Sequence, residues 1–150
     1  MSIVVDVSVF IDRLFIYSEE RSGRARDLFH YIDKEGLAVF EPQVFGVELA
    51  SQLVRRKPKI VARRLYEEIV DRVIILEDID YELLLNIAFQ TGCRAVDAYY
   101  IAAASLVSGV LVSADKIMVD NAKKYGVEAY YILDTNDYNK LVSKISRKTP

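Results

Sequence analysis

Ile3-Val4-Val5-Asp6-Val7-Ser8 and Val110-Leu111-Val112-Ser113-Ala114-Asp115 are the two stretches whose reading decides the fold. Each is a short aliphatic run that stops at an acid. Neither alternates polar with apolar residues, so each reads as a strand buried on both faces, the pattern of a parallel sheet covered by helices. A carboxylate just past such a strand is poorly placed for packing. It is well placed for chemistry, because open parallel sheets bind ligands outside the carboxyl ends of their strands.

Working outward, further strand-like runs occupy 37–40, 72–76 and 127–132, beside 2–6 and 110–113. Helical patterns fill the gaps. Val9, Phe10, Leu14 and Phe15 share a face, as do Leu28, Tyr31 and Ile32. Val44, Val47, Glu48 and Gln52 follow Pro42, which suits a first helical turn. Leu65, Ile69 and Val70 predict another helix, and Leu83, Leu84, Ile87 and Ala88 follow an Asp80 cap. A further helix is expected over 95–108, and Asp115 opens one that runs through Ala122. Strands alternating with helices, without hairpin signals, predict an α/β fold with a mostly parallel sheet. Right-handed crossovers then put the strand-to-helix loops along one edge. No repeat or linker interrupts 1–150, so a single domain is expected.

Composition narrows the function. Of 150 residues 52% are hydrophobic, enough for one core, with disorder expected only at the Ser146-Arg147-Lys148-Thr149-Pro150 tail. Lys and Arg number 20 against 22 for Asp and Glu, so nucleic-acid binding has to rest on local patches. One cysteine, Cys93, supplies neither an internal disulfide nor a multi-thiolate zinc site, and a reducing cytoplasm fits. No targeting leader is read at the N-terminus. The uncharged run from Ala98 to Ala114 is broken by Ser105, Ser108 and Gly109 and is shorter than the roughly 20 apolar residues of a membrane span. It reads as a buried helix, a turn and a buried strand, in a chain without a membrane segment.

Four acids form the candidate site: Asp6, Glu48, Asp97 and Asp115. Glu48 lies about two turns into its helix, and Asp97 opens a helix too rich in small apolar residues to be exposed. Ser8, which follows Asp6, is expected to cap the helix and to orient the acid. Plainer roles are open to each: Asp6 and Asp115 as helix caps, Glu48 as partner of Arg55 or Arg56, and Asp97 as a residue favoured by the helix dipole. Carboxylates converging on one point raise each other's pKa. Mg²⁺ or Mn²⁺ removes that conflict with oxygen ligands alone, and such an ion supports hydrolysis of a phosphodiester. The single histidine, His30, leaves little room for a histidine-based hydrolase.

Asp6-x-Ser8 after the first strand, Glu48 in Val44-Phe45-Gly46-Val47-Glu48-Leu49, Asp97 in Asp97-Ala98-Tyr99-Tyr100-Ile101-Ala102-Ala103-Ala104, and Ser113-x-Asp115 together resemble the acid set of the PIN-domain family. The resemblance runs from Ser2 to about Ile132, and a single domain of this size is similar to VapC-type toxins, ribonucleases held inactive by an antitoxin. It implies a three-layer fold with a 3-2-1-4-5 parallel sheet, a homodimer, and Mg²⁺- or Mn²⁺-dependent cleavage of single-stranded or structured RNA. It also implies that Asp6, Asp97 and Asp115 bind metal, that Glu48 binds it or positions water, and that Ser8 and Ser113 orient the acids. A further acid near the fourth is common in the family, a place that Asp120 or a plain surface role would fill equally well.

Other features are weighed beside these. Arg55-Arg56-Lys57-Pro58-Lys59 with Arg63-Arg64 is the densest basic cluster. Helical spacing would put Arg56, Lys59 and Arg63 on one face to hold RNA phosphates, or simply leave them on a solvated surface. Tyr99 and Tyr100 serve as core or interface residues, or as a stacking platform for a base. A haloacid-dehalogenase phosphatase with Asp6 as nucleophile wants an acid where Ser8 stands. The remaining alternatives are a non-toxin PIN nuclease of RNA processing and a catalytically silent PIN-like binding scaffold. No glycine-rich phosphate loop is present to support a nucleotide-binding fold.

Overall fold

The computed structural model describes residues 1–146. Five strands, β1 (Ser2–Val5), β2 (Ala38–Pro42), β3 (Ile74–Leu76), β4 (Val110–Ser113) and β5 (Ala129–Tyr131), alternate with eight helices among the described residues. The helices are α1 (Val7–Leu14), α2 (Glu19–Glu35), α3 (Gln43–Val54), α4 (Lys59–Val70), α5 (Tyr81–Thr91), α6 (Ala95–Leu106), α7 (Lys116–Tyr125) and α8 (Thr135–Ser146). The strands pair in the order β3-β2-β1-β4-β5, and every pairing is parallel. This is the mostly parallel sheet expected from the sequence pattern, in the 3-2-1-4-5 order that the resemblance implies.

The two deciding stretches lie side by side at its centre, with Ile3, Val4 and Val5 in register with Val110, Leu111 and Val112. Ile3, Val4, Val5, Leu111 and Val112 are fully buried, which accounts for their unbroken aliphatic character. Chain order reverses between these strands: β2 and β3 are added on one side and β4 and β5 on the other. The crossovers on the two sides therefore cover opposite faces. Helix α6 packs across β1, β2 and β4 with α5 and α7 beside it. Helices α1, α2 and α8 pack together on the other face, where α1 meets β4 and α8 meets β5. Helix α3 bridges to both α1 and α6, so its inner face looks onto the carboxyl edge above β1 and β4.

Several boundaries differ from expectation for identifiable reasons. Strand β2 extends through Glu41 and Pro42, which pair with Ile75 and Leu76 of β3. Its ladder with β1 stops at Val39, so the missing Pro42 N–H faces no unpaired strand there. Arg72 and Val73 belong to the turn that ends α4, donating to the carbonyls of Ile69 and Val70, and β3 begins only at Ile74. The helix expected over 95–108 stops at Leu106, because Ser108 turns left-handed (φ 49°). The chain then passes so close to β1 that a Cβ on Gly109 would stand 2.5 Å from the Ser2 carbonyl oxygen. Helix α7 continues past Ala122 to Tyr125. Ser146 ends α8, and the disorder expected for 147–150 falls outside the described residues. No helix among the described residues is long and apolar enough to cross a membrane.

Candidate active site

A cleft of about 670 Å³ opens at the carboxyl edge of the sheet, where β1 and β4 deliver their terminal residues. Asp6, Ser8, Glu48, Asp97 and Asp115 all line it, each brought by a different loop or helix. The four candidate acids thus share one wall system, although they are scattered along the sequence.

Asp6 occupies the N-cap position of α1 without capping it. Its Oδ2 instead accepts hydrogen bonds of 2.7 Å from both Ser8 Oγ and Ser113 Oγ. Ser8 is therefore not the cap expected of it: it lies inside α1, holds Asp6, and accepts from the Ala114 N–H at 3.2 Å. Ser113 is fully buried and also accepts from the Asp115 N–H at 2.9 Å. These two hydroxyls tie the end of β1 to the end of β4. Burial raises the Asp6 pKa, the two serines oppose the rise, and Asp115 adds to it.

Asp115 takes the capping role it was also eligible for, accepting from the N–H groups of Ile117 and Met118. Asp97 is 1% exposed. Its carboxylate is gripped by Arg94, whose Nε and Nη2 donate at 3.1 and 3.2 Å. The same Nη2 donates to Asp115 Oδ2. Burial raises the Asp97 pKa against the pull of Arg94. At Asp115 burial also pushes upward, but the Arg94 hydrogen bond and charge outweigh it and the pKa falls. Glu48 pairs with neither Arg55 nor Arg56; it accepts from the Tyr100 hydroxyl at 2.7 Å. Its pKa is raised, by burial first and then by Asp6 and Asp97, with Tyr100 opposing. Tyr100 is fully buried, and burial beside Asp6, Glu41 and Glu48 holds its phenol protonated.

Three residues at this site escape a sequence reading. Arg94 stands one turn before Asp97, an i,i+3 pairing at a helix start that is visible but weak. Tyr100 follows Asp97 by three residues on the same helical face and reads as core. Glu41 is fully buried, with neither carboxylate oxygen hydrogen-bonded among the described residues. Burial and the charge of Asp6 push its pKa well above the ordinary value. A charged residue beside a proline reads as the end of a strand, which concealed it.

The basic cluster divides. Arg56 lines the cleft, but it sits in the turn after α3, where its N–H and that of Lys57 bond to the Leu53 carbonyl. Lys59 and Arg63 belong to α4 and line a separate hollow with Tyr66. Pro58 starts a new helix at this point, so helical spacing does not carry across it and the three residues share no single face. Asp120 is exposed, pairs with Lys116 at 3.6 Å, and lies outside the cleft lining. His30 is exposed, and Cys93 is a half-buried free thiol.

The donor chemistry of the acid set fits a hard divalent cation: oxygen ligands only, with three carboxyl pKa values raised by burial or mutual charge. As they stand, no three acids among the described residues are spaced to enclose one ion. The Arg94 guanidinium instead neutralises Asp97 and Asp115.

A model of the PIN domain family matches residues 3–124, and the chain belongs to that family, whose members are generally nucleases. Among solved structures, PAE2754 from Pyrobaculum aerophilum aligns with a TM-score of 0.64 at 19% identity, over 99% of this chain and 100% of that one. FitAcB from Neisseria gonorrhoeae aligns with a TM-score of 0.64 at 15% identity, over 87% and 97%. VapBC-1 from nontypeable Haemophilus influenzae gives 0.62 at 13%, over 89% and 100%. No curated protein sequence matches the chain.

Proposed function

We propose that the chain is a Mg²⁺- or Mn²⁺-dependent endoribonuclease that hydrolyses RNA phosphodiester bonds, acting as the toxin of a toxin–antitoxin pair. The observation that carries the nuclease reading is the meeting of Asp6, Glu48, Asp97 and Asp115 in one cleft of a PIN domain. Asp6, Asp97 and Asp115 would hold the ion, with Glu48 completing the set. A bound divalent ion supplies positive charge to the scissile phosphate and acidifies water. Ser8 and Ser113 fix Asp6 so that its carboxylate does not need to reorganise. Tyr100 fixes one Glu48 oxygen, and burial makes that carboxylate a better proton acceptor for an attacking water. With Asp97 and Asp115 engaged in holding an ion, the Arg94 guanidinium that now pairs with them would become available to phosphate oxygens.

Purified protein is expected to cleave RNA with Mn²⁺, and Asp6→Asn to abolish cleavage while leaving the circular dichroism spectrum unchanged. Undiminished cleavage by Asp6→Asn, or in excess chelator, overturns the mechanism. The toxin role rests on the likeness to FitAcB and VapBC-1. It implies a cytoplasmic homodimer and a protein antitoxin. Expression alone should arrest growth, and co-expression of a short neighbouring reading frame should relieve the arrest. A gene whose expression leaves growth unchanged would instead favour an RNA-processing nuclease.

A further inference from the structure

Glu41 stands behind the cleft with no task in the nuclease reading. It is fully buried, and neither carboxyl oxygen has a hydrogen-bond partner among the described residues. Packing does not account for it, because an apolar side chain of similar length would fill the place without stranding two oxygens. Ile3 lies opposite Val39, which puts Glu41 level with Val5, the residue that ends β1 and delivers Asp6. Glu41 is bonded to none of the four acids and does not line the cleft, so it lies behind their wall and not in it.

The charged groups that reach it are Asp6, from the end of β1, and Glu48, from α3, and both are acids. From α6 comes the Tyr100 phenol, which feels Asp6, Glu41 and Glu48 together. Strand β3, the other neighbour of β2, sets Ile75 opposite Glu41 and carries no charge. No lysine or arginine pairs with Glu41 among the described residues. Burial first, then Asp6 and Glu48, push its pKa up, and only the Val5 backbone acts the other way. A carboxyl so placed keeps its proton until positive charge arrives in front of it. The low dielectric that makes a lone buried charge costly also strengthens its attraction to a cation nearby.

We propose that Glu41 is a fifth acid of the site, a positioning residue that touches no ion itself but lends its charge to a divalent cation held by the acids in front of it. The proposal rests on the nuclease reading above for the presence of that cation. The Glu41 O–H bond breaks as the cation is taken up, the proton passing to solvent and the electron pair staying on the carboxylate. Cation binding is therefore coupled to proton release from a group outside the ligand set. Asp6, Glu48 and Asp97 add protons of their own to the total, so the difference between wild type and a Glu41 variant carries the test.

Isothermal titration with MnCl₂ near neutral pH, in a pair of buffers of different ionisation enthalpy, reads affinity and proton release together. Glu41→Gln keeps the shape of the side chain and cannot ionise. It is expected to bind Mn²⁺ about tenfold more weakly than wild type and to release about one proton fewer. Glu41→Met, the second variant, is expected to match it. In chelator both should melt at or above the wild-type temperature, so that affinity falls while stability does not. A side chain with a purely structural role would not separate the two. An unchanged proton count overturns the proposal whatever the affinity, and leaves the nuclease reading standing. Weaker binding with a lowered melting temperature in both variants makes Glu41 a packing residue and overturns it as well. A wild-type chain that binds no Mn²⁺ overturns both readings together.

Discussion

Arg94 Nη2 donates to both Asp97 Oδ1 and Asp115 Oδ2, joining them across the cleft, while its Nε holds the second Asp97 oxygen. No other salt bridge among the described residues touches the four acids. Arg94 is 56% exposed on its side chain, so solvent weakens the grip. The positive charge it brings is the kind a divalent ion would bring more strongly.

Removing that competitor should tighten ion binding. Discounted for exposure, the pairing is worth about 1 kcal/mol, a factor of roughly five in affinity. Isothermal titration of Arg94→Gln with Mn²⁺ is expected to show this gain. Weaker binding than wild type would mean that Arg94 orients Asp97 for the ion instead of standing in for it.

Stability should depend on pH in a defined sense. Glu41, Asp6, Glu48 and Asp97 all have raised folded-state pKa values, from ordinary values of 4.5 for Glu and 3.8 for Asp. Above those values the unfolded chain binds fewer protons than the folded one, so stability falls as pH rises toward the folded values. Asp115, with its lowered pKa, acts in the opposite sense and loses its contribution as pH falls. In chelator the melting temperature should be higher at about pH 5.5 than at about pH 7.5. Glu41→Gln should flatten the difference. Glu41→Met, which removes two unbonded buried oxygens, should stabilise the protein by about 1–3 kcal/mol. An unchanged melting curve for both variants would remove Glu41 from this account.

The Ser113 hydroxyl serves two partners at once, Asp6 Oδ2 and the Asp115 N–H. Ser113→Ala leaves the Asp115 N–H without this acceptor and Asp6 Oδ2 with Ser8 alone, and should cost about 1–3 kcal/mol in chemical denaturation. Mn²⁺ affinity should fall in parallel. A loss of stability without any change in titration would confine Ser113 to the sheet.

Gly109→Ala probes the join of β1 and β4 from the far end. The new methyl meets the Ser2 carbonyl at 2.5 Å, a backbone atom that moves only with its strand. Destabilisation of about 1–3 kcal/mol is expected from urea unfolding. A neutral result would show that the strands can part without disturbing their register.

The sheet and the acids were legible because each left a local trace. Buried parallel strands are aliphatic throughout, and Asp6 and Asp115 mark the points just past the ends of β1 and β4 where that pattern stops. Glu48 and Asp97 broke helical patterns in the same way. Arg94, Tyr100 and Glu41 left no comparable trace, since their roles depend on what lies opposite them in space. The basic cluster misled for a related reason: helical spacing was carried across Pro58, where one helix ends and another begins. Asp120 shows the limit of counting residues along a helix, because an acid near the cleft still turned to Lys116.

The pairing of β1 with β4 has a consequence for the chain as it is made. Asp6 is made 107 residues before Ser113, which with Asp115 completes its surroundings. Until β4 docks beside β1, the acids have no common cleft, and a non-local contact of this span forms late. A nascent or truncated chain ending before β4 therefore carries Asp6 without an assembled site.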